Sequence, residues 1–389
     1  MKILMVSGTY LPNIGGIESH IFYLSRALQQ MGHEVVILHH HVLGKREKIE
    51  SKIEKGIRVY RVFERKQKTV KPLWLRPAAT VKGIKRVADD FGQIDILHQH
   101  DYYDSTLAVS WTNHGTKRIW TNHSPTFVKH FAHYLLRHLA RLIYFKFDGI
   151  LAVSQELYQK SHALWGNRAL ISYIPNGVDA DFFTPDVAVN RAEYGIGHKE
   201  FVVLCPTRIT EQKGVLYLAQ AAKILMQQHA AINWRFLFLG SDPAVNTDPA
   251  YIKQVQNILD RYSRRGDVVY LGNVPMKQMP QLNALADVVV MPSLWEGFSL
   301  SALEAMASCT PLVTTTIQGM EEIVHHEKTG ILVPPRDPQA LAEAILKLYH
   351  HPKWRERVAQ GGYRLVTAQY SWERVAEQTA MFYEKVLSR

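Results

Sequence analysis

The sequence predicts an α/β protein built from two doubly wound domains, and three observations lead to this fold class. Short apolar runs alternate with helix-length segments along the 389 residues. The alternation restarts after residue 200, behind a turn-rich connection at 174–186. The length and an apolar fraction of 47% suit two domains of ordinary size, each with its own core. We therefore expect the joint between the domains near residues 180–198.

The predicted elements of the first domain follow from apolar runs that are bounded by turn residues. Strands are expected at 2–6, 32–39, 94–98, 118–121 and 149–153, with a helix at 17–30. Strands that alternate with helices are typical of a parallel sheet with helices on both faces. The first domain is predicted to span residues 1–182.

The second domain, predicted at 183–370, repeats this pattern. Strands are expected at 201–205, 235–239, 268–271, 288–291 and 311–314, with helices at 215–228 and 301–307. Open α/β sheets bind ligands at the carboxyl ends of their strands. The turn between strand 288–291 and helix 301–307 is therefore a predicted ligand site.

The net charge of +11 is concentrated in the first half of the chain. Residues 1–182 hold 25 basic and 15 acidic side chains, whereas the remainder holds 21 and 20. Within residues 45–86 there are 15 basic side chains and 4 acidic ones. This distribution predicts an anionic partner for the first domain.

Residues 128–146 are predicted to form an amphipathic helix with basic and apolar faces. Two interpretations stay open. The helix lies in a membrane interface with its cations on anionic headgroups, or it packs on the domain core with its basic face in water. The basic segment 45–86 favours the first interpretation, so we expect peripheral contact with an anionic membrane.

The compartment is expected to be cytoplasmic, at the inner face of the plasma membrane where that contact is made. Residues 1–8 form too short an apolar run for a secretory signal, and no stretch reaches the length of a transmembrane helix. Cys205 and Cys309 suit free thiols in a reducing environment.

Two cations and two carboxylates mark the turns of the second domain. Arg208 offers a planar fork and Lys213 a mobile point charge, and both suit an anion at a helix N-terminus. Glu296 and Glu304 would repel a phosphate, but carboxylates accept hydrogen bonds from hydroxyl groups. Each pair alone would be read as surface cations or as helix capping. A nucleotide sugar is a ligand that has both parts, a diphosphate and sugar hydroxyls, and the resemblance described next favours it over those structural roles.

These motifs closely resemble the retaining GT-B glycosyltransferases of family 4. The stretch PSLWEGFSLSALE at 292–304 matches the E-x7-E signature of that family, and it follows the Arg208-x4-Lys213 pair. Further matching landmarks lie at 15–18, 174–179, 330–335 and 370–375. The resemblance implies the GT-B fold, with two doubly wound Rossmann-like domains facing a central cleft. It also implies that a C-terminal helix at 371–389 crosses back to the first domain.

The resemblance implies a role for each matched residue of the second domain. Arg208 and Lys213 would hold the donor diphosphate, and Glu304 would hold the ribose. Glu296 would contact the transferred sugar. Further donor contacts are implied for Val274, Gly297, Phe298, Ser299 and Leu300.

In the first domain the resemblance implies two more site residues. Gly16 would let the backbone approach the donor closely, because it has no side chain. His123 would lie near the reacting sugar, and with Glu296, Arg208 and Lys213 it completes the predicted catalytic set. The family implies a front-face attack, in which an oxygen of the departing phosphate helps to deprotonate the acceptor.

No metal or other cofactor is expected for this reaction. The cations and helix N–H groups would stabilise the charge that develops on the departing diphosphate. Asp179 and Asp181 spell the D-x-D of metal-dependent glycosyltransferases, but they lie in a linker and are predicted to be structural. The run at 39–41 of three histidines is predicted to be a strand terminus, because successive residues cannot all reach one ion. For His98 and His100 a place in the acceptor cleft and a structural role stay open.

The donor base and the acceptor are less defined by the sequence. No acidic residue lies between Gly272 and Gln281 to read guanine, which favours UDP slightly over GDP. The charge favours a lipid-linked or other anionic glycan acceptor. Alternatives are a transferase for a small soluble acceptor and a sugar-nucleotide epimerase of the same fold. A nucleic-acid-binding protein and a nicotinamide dehydrogenase are disfavoured, because no recognition module and no G-x-G-x-x-G loop is present.

Overall fold

The structure is a computed structural model that describes residues 1–12, 15–44, 46–65, 77–100, 115–123, 147–240 and 248–389. The chain divides into two compact units. Unit 1 comprises residues 1–176 and 372–389, and unit 2 comprises residues 177–371. The C-terminal segment thus belongs to the same unit as the N-terminus.

The strands and helices of the described residues are numbered here in chain order. The strands are β1 (Lys2–Ser7), β2 (Glu34–Gly44), β3 (Lys48–Glu54), β4 (Ile57–Arg65), β5 (Ile96–Gln99), β6 (Lys117–Asn122), β7 (Gly149–Ala152), β8 (Leu170–Tyr173), β9 (Phe201–Cys205), β10 (Trp234–Leu239), β11 (Val268–Gly272), β12 (Val288–Met291), β13 (Leu312–Thr315) and β14 (Ile331–Val333). The helices are α1 (Gly16–Gln30), α2 (Pro77–Phe91), α3 (Gln155–Trp165), α4 (Val215–Gln228), α5 (Pro249–Ser263), α6 (Met279–Leu285), α7 (Leu300–Ala307), α8 (Gln318–Glu321), α9 (Pro338–His350), α10 (Pro352–Gln369) and α11 (Trp372–Leu387).

Unit 1 contains an eight-stranded sheet in the order β3-β4-β2-β1-β5-β6-β7-β8. All neighbouring strands are parallel except the antiparallel β3–β4 hairpin. β1 lies in the middle, and its apolar residues are buried because helices cover both faces of a doubly wound sheet. This arrangement brings the carboxyl ends of β1, β5 and β6 side by side.

Two features of unit 1 differ from the sequence-based expectation. β2 continues to Gly44, so the three histidines at 39–41 lie inside a strand and the prediction of a strand terminus there is wrong. The β3–β4 hairpin was not predicted. The charged, exposed residues of β3 lack the apolar run of a buried strand, whereas in β4 arginines interrupt the buried apolar residues Ile57, Val59 and Val62. The edge position of β3 explains that composition, since edge strands are commonly charged.

The C-terminal helix α11 packs within unit 1. The ring of Trp372 stacks on that of Tyr23 in α1, with 5.7 Å between centroids. A Cβ atom on Gly149 of β7 would lie only 2.8 Å from the ring of Phe382, so any larger residue there would displace that ring. The helix therefore forms part of the core of this unit.

Unit 2 contains a six-stranded parallel sheet in the order β11-β10-β9-β12-β13-β14. β9 and β12 lie in the middle and are fully buried. Apolar residues from α4, α5 and α9 complete the core on one face. The carboxyl ends of β9, β12 and β13 are therefore neighbours, and the turns that follow them meet. Each unit thus has the predicted doubly wound α/β architecture.

Two predictions from the sequence concern membrane helices, namely that no helix spans a membrane and that an amphipathic helix lies at its surface. In the parts of the chain that the structure describes, no helix is both long enough and apolar enough to span a bilayer. The amphipathic helix predicted at 128–146 lies outside the described residues.

Candidate functional site

The turn after β9 holds Arg208 firmly at its backbone. The N–H of Ile209 donates to the carbonyl of Gly240, at 3.1 Å. A Cβ atom on Gly240 would lie 2.8 Å from the Cα of Arg208, so the two backbones are in direct contact. The Arg208 side chain is exposed and makes no hydrogen bond or ion pair with the described residues. Its guanidinium is therefore available to an anion at a fixed place in the fold.

Lys213 is positioned by a glycine that follows it. The short 3₁₀ turn Glu211–Lys213 ends at Gly214, which has a left-handed φ of 62°. A Cβ atom on Gly214 would lie 2.0 Å from the carbonyl oxygen of Pro292, so only glycine fits this contact. The N–H of Leu294 also donates to the carbonyl of Gln212, at 2.8 Å. The turn after β9 is thus fastened to the turn after β12.

The residues 292–299, named here the Glu296 turn, place a carboxylate against the lysine. The Lys213 ammonium donates to Oε1 of Glu296, and the Ser293 hydroxyl donates to the same oxygen at 2.9 Å. The side chains of Lys213 and Glu296 are 16% and 8% exposed. Sequence reasoning assigned these two residues to different parts of a ligand, and the structure shows that they pair with each other.

The backbone of the Glu296 turn is held between two other segments. A Cβ atom on Gly319 in α8 would lie 2.6 Å from the carbonyl oxygen of Glu296 and 3.0 Å from that of Gly297. The buried Phe298 ring lies 5.9 Å from the ring of Tyr370. Ser299 then caps α7, which begins at Leu300, by accepting a hydrogen bond from the N–H of Ala302 at 3.4 Å.

Glu304 lies in the second turn of α7 and is the second carboxylate of the predicted motif. Burial raises its pKa from 4.5 to about 7, because the surrounding protein disfavours the charged form. The carboxyl group has no hydrogen-bond or ion-pair partner among the described residues. It can therefore give or accept a hydrogen bond near neutral pH.

Two other predicted contact residues lie at loop or helix ends. Val274 is half-buried in the connection between β11 and α6. Gly16 is the exposed first residue of α1 in unit 1. Asp179, the first residue of the D-x-D sequence, accepts a hydrogen bond from the N–H of Phe182 at 3.0 Å and so stabilises a turn.

His123 directly follows β6 and belongs to a group of four histidines in unit 1. The histidine cluster is formed by His20 of α1, His98 of β5, His100 just after β5, and His123. Nδ1 of His100 lies 3.2 Å from Nε2 of His123, and the His98 and His100 rings are 4.0 Å apart. The N–H of His100 donates to the carbonyl of Val6 at 3.0 Å, which fixes the segment beside β1.

Burial keeps the histidine cluster neutral. It lowers the pKa of His20 from 6.5 to about 4, although a hydrogen bond to Asn176 opposes this shift. Burial also lowers the pKa of His98, His100 and His123 well below the ordinary value. Sequence reasoning missed His20, because a single histidine on a helix carries no local signal of its tertiary neighbours.

Glu18 is a further residue whose place the sequence did not reveal. It is buried in α1, and the Thr9 hydroxyl donates a hydrogen bond to its Oε1. A Cβ atom on Gly15 would lie 2.6 Å from its Oε2. Glu18 therefore joins the loop after β1 to the start of α1.

Comparisons with known proteins agree with this architecture. The family model described as Glycosyltransferase Family 4 matches residues 14–182, and the model described as Glycosyl transferases group 1 matches residues 186–365. An uncharacterized glycosyltransferase of Methanocaldococcus jannaschii, MJ1607, is 27% identical over 99% of this chain and 98% of that protein. One of the subunits of human phosphatidylinositol N-acetylglucosaminyltransferase is 26% identical over 99% of this chain and 76% of that protein.

The structural comparison concerns the fold. HepE from Anabaena, solved in complex with UDP-glucose, superposes with a TM-score of 0.77 and 19% sequence identity. The superposition covers 99% of this chain and 100% of that chain. The GT-B fold class predicted from the sequence is confirmed.

Proposed function

The chain belongs to the group 1 glycosyltransferases of family 4, and from that premise we propose that it is a retaining transferase for a nucleoside diphosphate sugar. The donor is a uridine rather than a guanosine nucleotide, and the acceptor is a lipid-linked or other anionic glycan. The reaction needs no metal. The observation that carries the proposal is the contact between Lys213 and Glu296 beside the start of α7.

The cations and the helix start suit the donor diphosphate. Arg208 supplies two parallel N–H donors, and Lys213 supplies a point charge a few residues further on. When a diphosphate enters, the Lys213 ammonium can turn from Glu296 to the phosphate oxygens. The same groups then stabilise the negative charge that grows on the departing diphosphate, which removes the need for a metal.

The carboxylates suit the hydroxyl groups of the donor. Glu296, once Lys213 has turned away, accepts hydrogen bonds from the transferred sugar. Glu304 has a raised pKa and no partner among the described residues, so ribose hydroxyls would supply the hydrogen-bond donors that it lacks. Main-chain groups of Gly297, Phe298 and Ser299 complete the donor contacts.

The neutral imidazole of His123 suits a place near the reacting sugar. An uncharged ring can accept a hydrogen bond from a sugar hydroxyl or donate one to it. Neither role places a positive charge beside the reacting carbon. Retention then follows from front-face attack, in which an oxygen of the departing phosphate takes the acceptor proton. Gly16 would allow close backbone approach to the donor.

The acceptor proposal rests on charge and on one relative. The first 182 residues hold ten more basic than acidic side chains. The human relative is named for transfer of N-acetylglucosamine to phosphatidylinositol, an anionic lipid. An anionic acceptor at the cytoplasmic face of a membrane would meet the basic side chains of this half.

The donor site is tested by thermal denaturation with UDP, GDP, ADP and their common sugars. The proposal expects stabilisation by uridine nucleotides, which Lys213→Met and Glu304→Gln each reduce at least tenfold in apparent affinity. Lys223→Met is the matched control, because Lys223 is an exposed lysine on the neighbouring helix α4. Equal responses of all variants, or no response to any nucleotide, would contradict the proposed site.

The acceptor and the metal are tested by transfer assays. Labelled sugar should move to vesicles that contain phosphatidylinositol and not to vesicles of phosphatidylcholine alone, with EDTA present throughout. Donor conversion without any acceptor would identify an epimerase. Transfer to a neutral soluble glycan in preference to the vesicles would overturn the acceptor proposal and leave the donor site standing.

A further inference from the structure

Three imidazoles from separate segments of unit 1 meet at the carboxyl ends of β5 and β6. His20 comes from the second turn of α1, while His100 and His123 directly follow their strands. One ring nitrogen of each lies within 4.8 Å of the other two. We propose that His20, His100 and His123 form a binding site for a divalent transition metal ion, with Zn²⁺ as the expected occupant.

The spacing of the nitrogens is close to that of metal ligands. Nδ1 of His100 and Nε2 of His123 are 3.2 Å apart. Two imidazole ligands on a tetrahedral zinc, each about 2.0–2.1 Å from the ion, are separated by about 3.4 Å. The third nitrogen, at most 4.8 Å away, needs to move inward by only about 1.4 Å, which small ring rotations supply.

The surroundings of His20 prepare it as a ligand. Its Nδ1 lies 2.8 Å from Oδ1 of Asn176, so the ring donates its Nδ1 proton to the amide oxygen. The Nε2 lone pair is buried and has no hydrogen-bond partner among the described residues. Ligating histidines characteristically donate their second ring N–H to an oxygen acceptor, which fixes the tautomer. His20 therefore offers a lone pair that nothing else in the described structure uses.

The chemistry of the group selects the class of ion. Imidazole nitrogens bind Zn²⁺, Co²⁺, Ni²⁺ and Cu²⁺, whereas Mg²⁺ and Ca²⁺ require oxygen ligands. Metal ions bind imidazole in its neutral form, through the lone pair of one ring nitrogen. His123 is half-buried, whereas His20 and His100 are buried.

His98 belongs to the same cluster but is not a proposed ligand. Its Nδ1 lies 2.6 Å from the Tyr383 hydroxyl, and its Nε2 lies 2.6 Å from the Thr121 hydroxyl. Both nitrogens are therefore occupied by hydroxyl partners. The fourth position on the ion is left to water or a substrate oxygen, as in zinc sites with three protein ligands.

The site has a consequence for transfer that rests on the proposed function. A bound ion would occupy a ring nitrogen of His123, the residue proposed to lie near the reacting sugar, so Zn²⁺ would inhibit transfer. Transfer without any metal and inhibition by Zn²⁺ are compatible. Binding itself can be measured without turnover, so the two proposals can fail separately.

The test uses the full chain, freed of metal with a chelator and titrated with Co²⁺ and then Zn²⁺. One equivalent of Co²⁺ should give the visible d–d absorption of a nitrogen-coordinated ion, and Zn²⁺ should displace it. His20→Gln should weaken Zn²⁺ binding at least 100-fold. Asn176→Ala, which removes only the orienting partner, should weaken it about 10–100-fold.

Two controls separate this site from other histidines. His98→Gln leaves the three ligands in place and should retain the affinity of the wild type. His326→Gln removes an exposed imidazole and should change nothing. If His20→Gln does not fold, the cobalt spectrum of the wild type and the Zn²⁺ affinity of Asn176→Ala test the proposal without it. The proposal would be overturned if the wild type did not bind Zn²⁺ stoichiometrically. It would also be overturned if His20→Gln or Asn176→Ala kept the wild-type affinity for Zn²⁺, or if His98→Gln lost as much affinity as His20→Gln.

Discussion

The Glu296 turn of unit 2 and the histidine cluster of unit 1 occupy the same place in their sheets, yet they handle charge in opposite ways. Both lie where parallel strands end and the following segments meet. The Glu296 turn joins a buried carboxylate to an ammonium. The histidine cluster collects like groups, which must stay neutral to be buried together. The α/β architecture thus places both groups at the carboxyl ends of parallel strands, and the side-chain types determine whether the buried groups are charged or neutral.

Breaking the ion pair of unit 2 should have the largest effect. Lys213→Met leaves the Glu296 carboxylate buried with the Ser293 hydroxyl as its remaining donor among the described residues. Loss of one partner from a buried pair costs about 3–5 kcal/mol. We expect a loss of this size in urea unfolding of unit 2, and the double variant Lys213→Met/Glu296→Gln should recover most of it.

The exposed pair of Lys347 and Glu327 provides the matched control. Its side chains are 50% and 44% exposed, and its atoms are 2.6 Å apart. Lys347→Met should cost less than about 1 kcal/mol, because surface pairs are weak. Equal costs for the two lysines would show that burial of the Glu296 turn adds nothing to its ion pair.

Changes in pH should act with opposite sign on Glu304, in the helix that follows the Glu296 turn, and on the histidine cluster. The folded-state pKa of Glu304 is raised from 4.5 to about 7, so between these values the folded protein holds a proton that the unfolded chain releases. The free energy of unfolding therefore decreases as pH rises through this window, by up to about 3 kcal/mol. Glu304→Gln should flatten this part of the pH profile, measured by urea unfolding from about pH 4.5 to about pH 8.

The histidine cluster should give the reverse slope. The folded-state pKa of His20 is lowered from 6.5 to about 4, so the unfolded chain takes up a proton first as pH falls. Stability contributed by this group is complete above 6.5 and is lost as pH falls towards about 4, by up to about 3 kcal/mol. With EDTA present, His20→Gln should remove this part of the pH dependence of stability, and His326→Gln, which changes an exposed residue, should not. Slopes of the same sign for Glu304 and His20 would contradict the opposed effects of burial.

The difference between the regions also explains what the sequence could predict. Arg208, Lys213, Glu296 and Glu304 lie on two strand-turn-helix units, where local spacing carries the information. The members of the histidine cluster are up to about a hundred residues apart, and only the folded sheet brings them together. The three histidines at 39–41 are adjacent in the sequence, but they lie along the single strand β2 and are not members of the histidine cluster.

The contact between Lys213 and Glu296 could not be predicted from the sequence for a different reason. Each residue was assigned to a ligand on chemical grounds, and no sequence rule says that two such residues pair before the ligand arrives. The contact depends on the left-handed turn at Gly214 and its approach to Pro292. A glycine after a lysine does not reveal which backbone it will meet.

The smallest predicted effect is the loss of a helix cap, and one cap in each unit can be compared. Ser154 caps α3 in unit 1 by accepting from the N–H of Leu157 at 3.3 Å, and Ser299 caps α7 in unit 2 in the same way at 3.4 Å. Replacing either serine by alanine should cost about 1 kcal/mol in urea unfolding. The two variants should differ only towards a nucleotide. Ser299→Ala loosens the helix start that faces the proposed donor and should weaken stabilisation by UDP severalfold, while Ser154→Ala should leave it unchanged. Equal responses to UDP would mean that the start of α7 takes no part in binding the donor.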